Sequence, residues 1–145
     1  MKKIGFLIAA IAIAFSLTTA AQSNPEPWKP EQLLAPKQLA DLIKSNAKDK
    51  LLIISVGPAA LIKGSVDIGA VHDQVNLSKL KTLLLKEKKD REIVIYCGCC
   101  PFEHCPNIRP AFKLLNELRF TNQKLLNLPR NLKADWIDQG YPTNN

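Results

Sequence analysis

The chain has only four cysteines in 145 residues, and none of them lies outside the nine residues from Cys97 to Cys105. Stabilising disulfides in small proteins usually join distant segments, because closing a long loop removes more entropy from the unfolded chain. Bridges within one short segment close only small loops, so stapling of the fold is a weak explanation. The clustering indicates instead that the thiols serve the chemistry of one site.

Long runs of one charge sign are also missing, although the formal net charge is +7. Basic residues are interleaved with acidic ones, as in residues 86–92, which is typical of a solvated helix end. The five Phe and two Tyr residues are spread through apolar segments and form no platform for stacking bases. Nucleic acid is therefore not expected as a partner.

The apolar run at the N-terminus is too short for a comfortable membrane span. Lys2 and Lys3 precede the apolar stretch 4–15, and small residues follow up to Ala21. This pattern predicts a signal peptide over residues 1–21, cleaved after Ala21, and a periplasmic or secreted protein without stable membrane insertion. The junction contains no cysteine, which argues against a lipoprotein anchor. A retained N-terminal anchor helix is the alternative interpretation.

Beyond residue 21 the sequence predicts a proline-rich lead-in, residues 22–31, and a single domain, residues 32–145. Trp28 is expected to pack the lead-in onto the domain, and Tyr96 and Trp136 are expected in its core. Strands are predicted at 51–56, 65–71, 92–96 and 124–128, and helices at 36–46, from a cap at Asn76, from about 106, and from 131 to 140. The alternation of strands and helices predicts an α/β fold with a mostly parallel central sheet flanked by helices.

The cysteine segment follows directly from the predicted strand 92–96. In parallel α/β sheets, ligands bind beyond the carboxyl ends of the strands. A helix opens behind the segment and carries Arg109 near its start. Because helix N-termini stabilise anions and lower the pKa of nearby thiols, we expect a nucleophilic sulfur that handles an anion, with Arg109 as a cationic contact.

The order of these elements resembles the rhodanese-like sulfurtransferase domain. The strand followed by Cys97, the predicted closing strand 124–128, and the ending from Trp136 to Pro142 (Trp-Ile-Asp-Gln-Gly-Tyr-Pro) are the motifs that carry the resemblance. It implies that Cys97, the first residue after the central strand, is catalytic. Such a cysteine takes sulfur from a donor, holds it as a persulfide, and passes it to a nucleophilic acceptor.

The resemblance also implies which residues bind the substrate and which reactants take part. The loop at Gly98, Cys99 and Cys100 would cradle the anionic sulfur through backbone N–H groups, with Arg109 beside it. The donor would be a small sulfur-containing anion or a persulfide, the acceptor a thiol that could belong to a protein, and no cofactor is expected. Cys99, Cys100 and Cys105 are candidates either for a resolving thiol or for a disulfide that stiffens the loop.

Three other interpretations of the same residues stay open. The thiols of Cys97, Cys99, Cys100 and Cys105 with the imidazole of His104 are ligand types that suit Cu(I) or Zn(II). The cluster also suits a thiol-redox domain. Rhodanese-like domains further include non-catalytic binding modules, in which Cys97 would accept no sulfur. His72, the only other histidine, is interpreted as a surface or packing residue.

Overall fold

The computed structural model describes residues 25–45 and 50–144, so the predicted signal peptide at 1–21 lies outside the described residues. Within these ranges the chain forms five strands: β1 (Leu33–Leu34), β2 (Leu51–Ser55), β3 (Val66–Asp67), β4 (Glu92–Tyr96) and β5 (Gln123–Leu126). The α-helices are α1 (Pro36–Lys44), α2 (Gln74–Leu84) and α3 (Ile108–Glu117). Short helical turns lie at Pro30–Gln32, Phe102–His104 and Lys133–Ile137.

The strands form one sheet in the order β1-β5-β4-β2-β3, and every pairing is parallel. Strand β4 is central and pairs along its whole length with β2. Both strands are almost entirely buried, which explains why their sequences are continuous apolar runs without alternation. The predicted α/β fold with a parallel central sheet flanked by helices is confirmed.

The two faces of the sheet carry separate parts of the core. On β4, Ile93 and Ile95 pack with residues of α2 and α3, whereas Val94 and Tyr96 pack with residues of α1 and with Trp136. Successive side chains of a strand point to opposite faces. Cys97 continues the alternation and joins the cluster on the side of α2 and α3.

Several predicted boundaries differ from the structure. The strand predicted at 124–128 forms over Gln123–Leu126, and the helix predicted from 131 to 140 forms only over Lys133–Ile137. Two further differences have a local cause. Helix α2 is capped by Asp73, whose carboxylate accepts from the Val75 N–H at 3.0 Å, so the cap predicted at Asn76 is wrong. The strand predicted at 65–71 forms only over Val66–Asp67. It ends because the Asp67 carboxylate accepts from the Gly69 N–H at 3.0 Å and the chain turns there with a positive φ of 83°.

The expected packing of the aromatic residues is confirmed. Tyr96 and Trp136 are fully buried, and Trp28 packs the lead-in onto the domain through a tilted contact with Phe102 and an edge contact with Phe112. Among residues 25–45 and 50–144, no helix combines the length and the apolar character needed to cross a membrane.

Candidate active site

Cys97 lies immediately beyond β4, at the carboxyl edge of the sheet. The Val56 N–H donates to the Tyr96 carbonyl at 2.9 Å and thereby ties the end of β2 to the end of β4. The chain then passes Gly57, where a methyl group would lie only 2.8 Å from the Cys97 sulfur. The sulfur therefore fits beside β2 only because residue 57 has no side chain.

The loop after Cys97 folds back and is anchored to two other segments. The Leu132 N–H donates to the Gly98 carbonyl at 3.1 Å, and the Phe102 N–H donates to the Leu128 carbonyl at 3.2 Å. The Phe102 ring is buried against Trp28, with ring centroids 6.2 Å apart. The loop is thus held from one side by the chain after β5 and from the other by the lead-in.

The loop gathers all four thiols into one cluster. The Sγ atoms of Cys97, Cys99, Cys100 and Cys105 lie within 4.8 Å of one another, and all four thiols are free. The sulfurs of Cys97 and Cys99 are 3.4 Å apart, as are those of Cys99 and Cys100. Cys97 and Cys105 are buried, Cys100 is half-buried and Cys99 is exposed. The cluster therefore runs from the core to the surface.

The buried side chain of Asn107 places a hydrogen-bond donor beside the Cys97 sulfur. The Oδ1 atom of Asn107 accepts from the His72 backbone N–H at 3.0 Å and lies 2.8 Å from the His72 ring Nδ1. Since a backbone N–H can only donate, the other end of the amide must be the NH₂ group, and this Nδ2 atom lies 3.5 Å from the Cys97 sulfur. The sulfur therefore faces a donor, which favours its thiolate form.

The pKa values of the cluster agree with this polarity. The hydrogen bond from the Cys105 thiol, together with the Cys99 backbone N–H and the Asn107 amide, outweighs burial and lowers the pKa of Cys97 to about 5. Burial and the neighbouring sulfurs of Cys97 and Cys100 raise the pKa of Cys99 to about 12. At neutral pH the cluster therefore holds its negative charge on Cys97 and keeps Cys99 as a thiol.

Cys105 lies between Cys97 and the start of α3. The neighbouring Cys97 sulfur and burial raise the pKa of Cys105, while the backbone N–H groups of Asn107 and Ile108 lower it by a smaller amount. The N-terminus of α3 thus acts on Cys97 through the intervening Cys105 thiol. The Cys99 backbone N–H helps to lower the pKa of Cys97, and the cradling of a bound sulfur by the loop N–H groups stays a prediction.

Arg109 and His104 are placed differently from the thiols. The Arg109 guanidinium pairs with the Glu26 carboxylate, donates to the Glu103 carbonyl at 2.7 Å and lies 5.5 Å from the centre of the Trp28 ring. These contacts tie α3 and the loop to the lead-in, so the contact of Arg109 with an anionic donor stays a prediction. His104 is exposed and does not belong to the ligand cluster that the described residues form.

Removing the proton donor at position 105 should raise the pKa of Cys97. We expect Cys105→Ala to move it upward from about 5 toward the ordinary value of 9.0, because the largest favourable contact of the thiolate is lost. In the unaltered chain, alkylation of Cys97 should increase as the pH rises through about 5. The midpoint of this increase, followed by mass spectrometry of the Cys97 peptide, should be higher in Cys105→Ala.

Cys105→Ser is the matched control for that variant. A serine hydroxyl still donates a hydrogen bond, so the midpoint should stay near that of the unaltered chain. Equal midpoints in the alanine and serine variants would show that Cys105 does not stabilise the thiolate by donation.

Comparison with known proteins finds similarity in structure only. The sequence matches no protein-family model, and no curated protein matches it. A full-length protein from Lactobacillus plantarum superimposes with a TM-score of 0.57 at 16% identity, covering 79% of this chain and 88% of that one. Two cysteine variants of EanB, solved with hercynine, superimpose with a TM-score of 0.54 at 20% and 21% identity. They cover 79% of this chain but 27% of EanB, and likenesses of this kind establish the fold.

Proposed function

We propose that this chain is a sulfurtransferase or persulfide carrier of the rhodanese-like type, with Cys97 as the sulfur-carrying residue. The observation that carries the proposal is the state of Cys97. Its thiolate lies at the carboxyl edge of a parallel sheet and faces the donors Asn107 Nδ2, Cys105 Sγ and the Cys99 N–H. A thiolate, not a thiol, is the reactive nucleophile.

The first half of the reaction loads Cys97. Its sulfur attacks the outer sulfur of a thiosulfate-like donor, the new S–S bond forms, and the bond to the sulfite group breaks with its electron pair leaving on sulfite. A low-molecular-weight persulfide would react in the same way and release a thiolate. The persulfide on Cys97 then carries a negative outer sulfur that N–H donors of the site can stabilise.

The second half returns Cys97 to its starting state. An acceptor thiolate attacks the outer sulfur of the persulfide, and Cys97 leaves as the thiolate. A thiol of low pKa leaves faster, so the contacts that lower the pKa of Cys97 help both halves of the cycle. No electron enters or leaves, so the proposed cycle needs no redox partner. An exported location, as the N-terminal sequence pattern predicts, would supply donors and acceptors outside the cytoplasm.

Mass spectrometry of the reduced, metal-free chain tests the proposal directly. After incubation with thiosulfate or with glutathione persulfide, we expect a gain of one sulfur atom per chain. Peptide mapping should locate this atom on Cys97. A chain that gains no sulfur from either donor would overturn the proposal and favour a binding module on the same fold.

A soft-metal site is the second candidate, and one observation favours it. Four thiols within 4.8 Å of one another approach the arrangement of a tetrahedral Zn(II) site, in which Zn–S bonds of about 2.3 Å place the sulfurs about 3.8 Å apart. To bind the metal, the thiols of Cys99 and Cys105 would have to lose their protons. The site opposes this loss, because the pKa values of both thiols are raised. Uptake of one Zn(II) or Cu(I) per chain, together with failure to gain sulfur, would support this candidate instead.

A further inference from the structure

The cysteines of the cluster differ in how far they are exposed to solvent. Cys97 is only 1% exposed, enclosed between Gly57 and Asn107, whereas Cys99 is exposed at the surface. A small donor can enter such a site, but a thiol fixed on a folded protein cannot follow it without moving the loop. A persulfide extends the reach of Cys97 by a single S–S bond of about 2.05 Å. The sulfur therefore needs a route from Cys97 to the surface.

We propose that Cys99 is the exit thiol of the site: it takes the outer sulfur from the Cys97 persulfide and presents it to thiols of partner proteins. The distance supports this transfer, because the two Sγ atoms are 3.4 Å apart before any sulfur is bound. Cys100 lies beyond Cys99, with its own Sγ 3.4 Å from that of Cys99. The proposal rests on the sulfur-transfer function proposed above and names its acceptor class.

The transfer step conserves atoms and electrons. The anionic outer sulfur of the Cys97 persulfide first accepts the proton of the Cys99 thiol. The Cys99 thiolate so formed attacks this protonated outer sulfur, a bond forms between these two atoms, and the bond from Cys97 to the outer sulfur breaks. The electron pair of the broken bond stays on Cys97 as its thiolate. The transferred proton stays on the outer sulfur, so the products are a Cys97 thiolate and a Cys99 persulfide. No oxidant or reductant takes part.

The contacts of the two sulfurs give the transfer its direction. An S–S bond exchanges so that the more acidic thiol leaves as the thiolate. The Asn107 Nδ2 atom lies 3.5 Å from the buried Cys97 sulfur and can donate to a thiolate there, whereas Cys99 is exposed, so expelling the Cys97 thiolate is favoured over expelling the Cys99 thiolate. The donors around Cys97 then stabilise the charge that returns to it. The sulfur moves outward while the negative charge stays inside.

The test compares a small acceptor with a protein acceptor in matched serine variants. The unaltered chain, Cys99→Ser and Cys100→Ser are loaded with glutathione persulfide and freed of donor. Each is then given cyanide, or ubiquitin carrying one introduced surface cysteine. The readout is the ratio of the rate of transfer to ubiquitin over the rate of transfer to cyanide, so a change in loading common to both acceptors cancels.

We expect this ratio to fall about tenfold or more in Cys99→Ser, because the positioned exit thiol is lost, and to stay at the unaltered value in Cys100→Ser. Rapid alkylation and peptide mapping of the loaded, unaltered chain should find part of the sulfur on Cys99. An unchanged ratio in Cys99→Ser would overturn the proposal, since Cys97 would then serve protein thiols directly. Release of hydrosulfide with formation of a Cys97–Cys99 disulfide would also overturn it. If the unaltered chain takes up no sulfur, the proposed function itself fails.

Discussion

Replacing Cys97 with serine is expected to abolish the gain of sulfur from thiosulfate and from glutathione persulfide. A serine hydroxyl at neutral pH has almost no anionic fraction, and its oxygen does not form a persulfide analogue that transfers sulfur. We expect transfer to cyanide to fall by at least about a thousandfold, as for the loss of a catalytic nucleophile. Intact-protein mass spectrometry and thiocyanate formation measure the two effects independently.

The fold should survive this substitution, because the two side chains differ only in the atom at the γ position. The Asn107 amide can still donate to the buried serine hydroxyl, so the substitution leaves neither group unpaired in the core. The thermal transition of Cys97→Ser should therefore stay close to that of the unaltered chain.

Serine variants of the other three thiols are the controls. Cys99→Ser, Cys100→Ser and Cys105→Ser each keep the Cys97 sulfur and should still gain one sulfur atom. A full gain in Cys97→Ser, with loss in one of these three, would move the nucleophile to that cysteine. This comparison separates a single carrier from a cluster whose thiols are interchangeable.

The position of the cysteine loop could be predicted because it depends on local patterns. Continuous apolar runs at 51–56 and 92–96 indicate buried parallel strands, and the cysteines follow the second run without a gap. In a parallel sheet such a loop must lie at the carboxyl edge. The gathering of the four thiols is then nearly forced, since they are separated by few bonds.

The partners of Cys97 could not be predicted, because they come from distant parts of the chain. Asn107 follows a proline at the start of α3 and looks like an ordinary helix cap, yet its side chain makes no capping bond. It bonds His72, which is 35 residues earlier in the sequence, and the Cys97 sulfur. The role of Asn107 depends on the packing of the loop before α2 against α3. It can therefore be recognised only in the folded structure.

The environment of Arg109 depends on tertiary packing in the same way. The sequence places this cation near the start of a helix behind the thiols, where an anion contact is the simplest expectation. The lead-in competes for it, because Glu26 supplies a carboxylate and Trp28 a ring face at the same place. No local pattern indicates that the lead-in reaches α3. Strand β1 was missed for a related reason, since two leucines become a strand only by pairing with β5.

The variant Gly57→Ala is expected to displace the Cys97 sulfur and to slow sulfur transfer strongly. The added Cβ would lie 2.8 Å from the Cys97 Sγ and 3.4 Å from the Gly98 backbone nitrogen. The sulfur must shift, and it then loses its alignment with the Asn107 amide and the Cys99 N–H. Because a displacement of about 1 Å can cost about a hundredfold in rate, we expect transfer to cyanide to fall by roughly that factor.

Gly140→Ala separates this effect from a general loss of stability. Gly140 has a positive φ of 68°, so alanine is strained there, but its Cβ would meet no atom within 4 Å. This variant should lower the melting temperature while retaining sulfur transfer. Gly57→Ala should instead lose sulfur transfer while it is still folded. Transfer and alkylation of Cys97 should be reduced even at temperatures well below the melting transition of this variant. Transfer at the unaltered rate in folded Gly57→Ala would mean that the sulfur reacts from a position away from β2, and the geometry of Cys97 would then not determine the reaction.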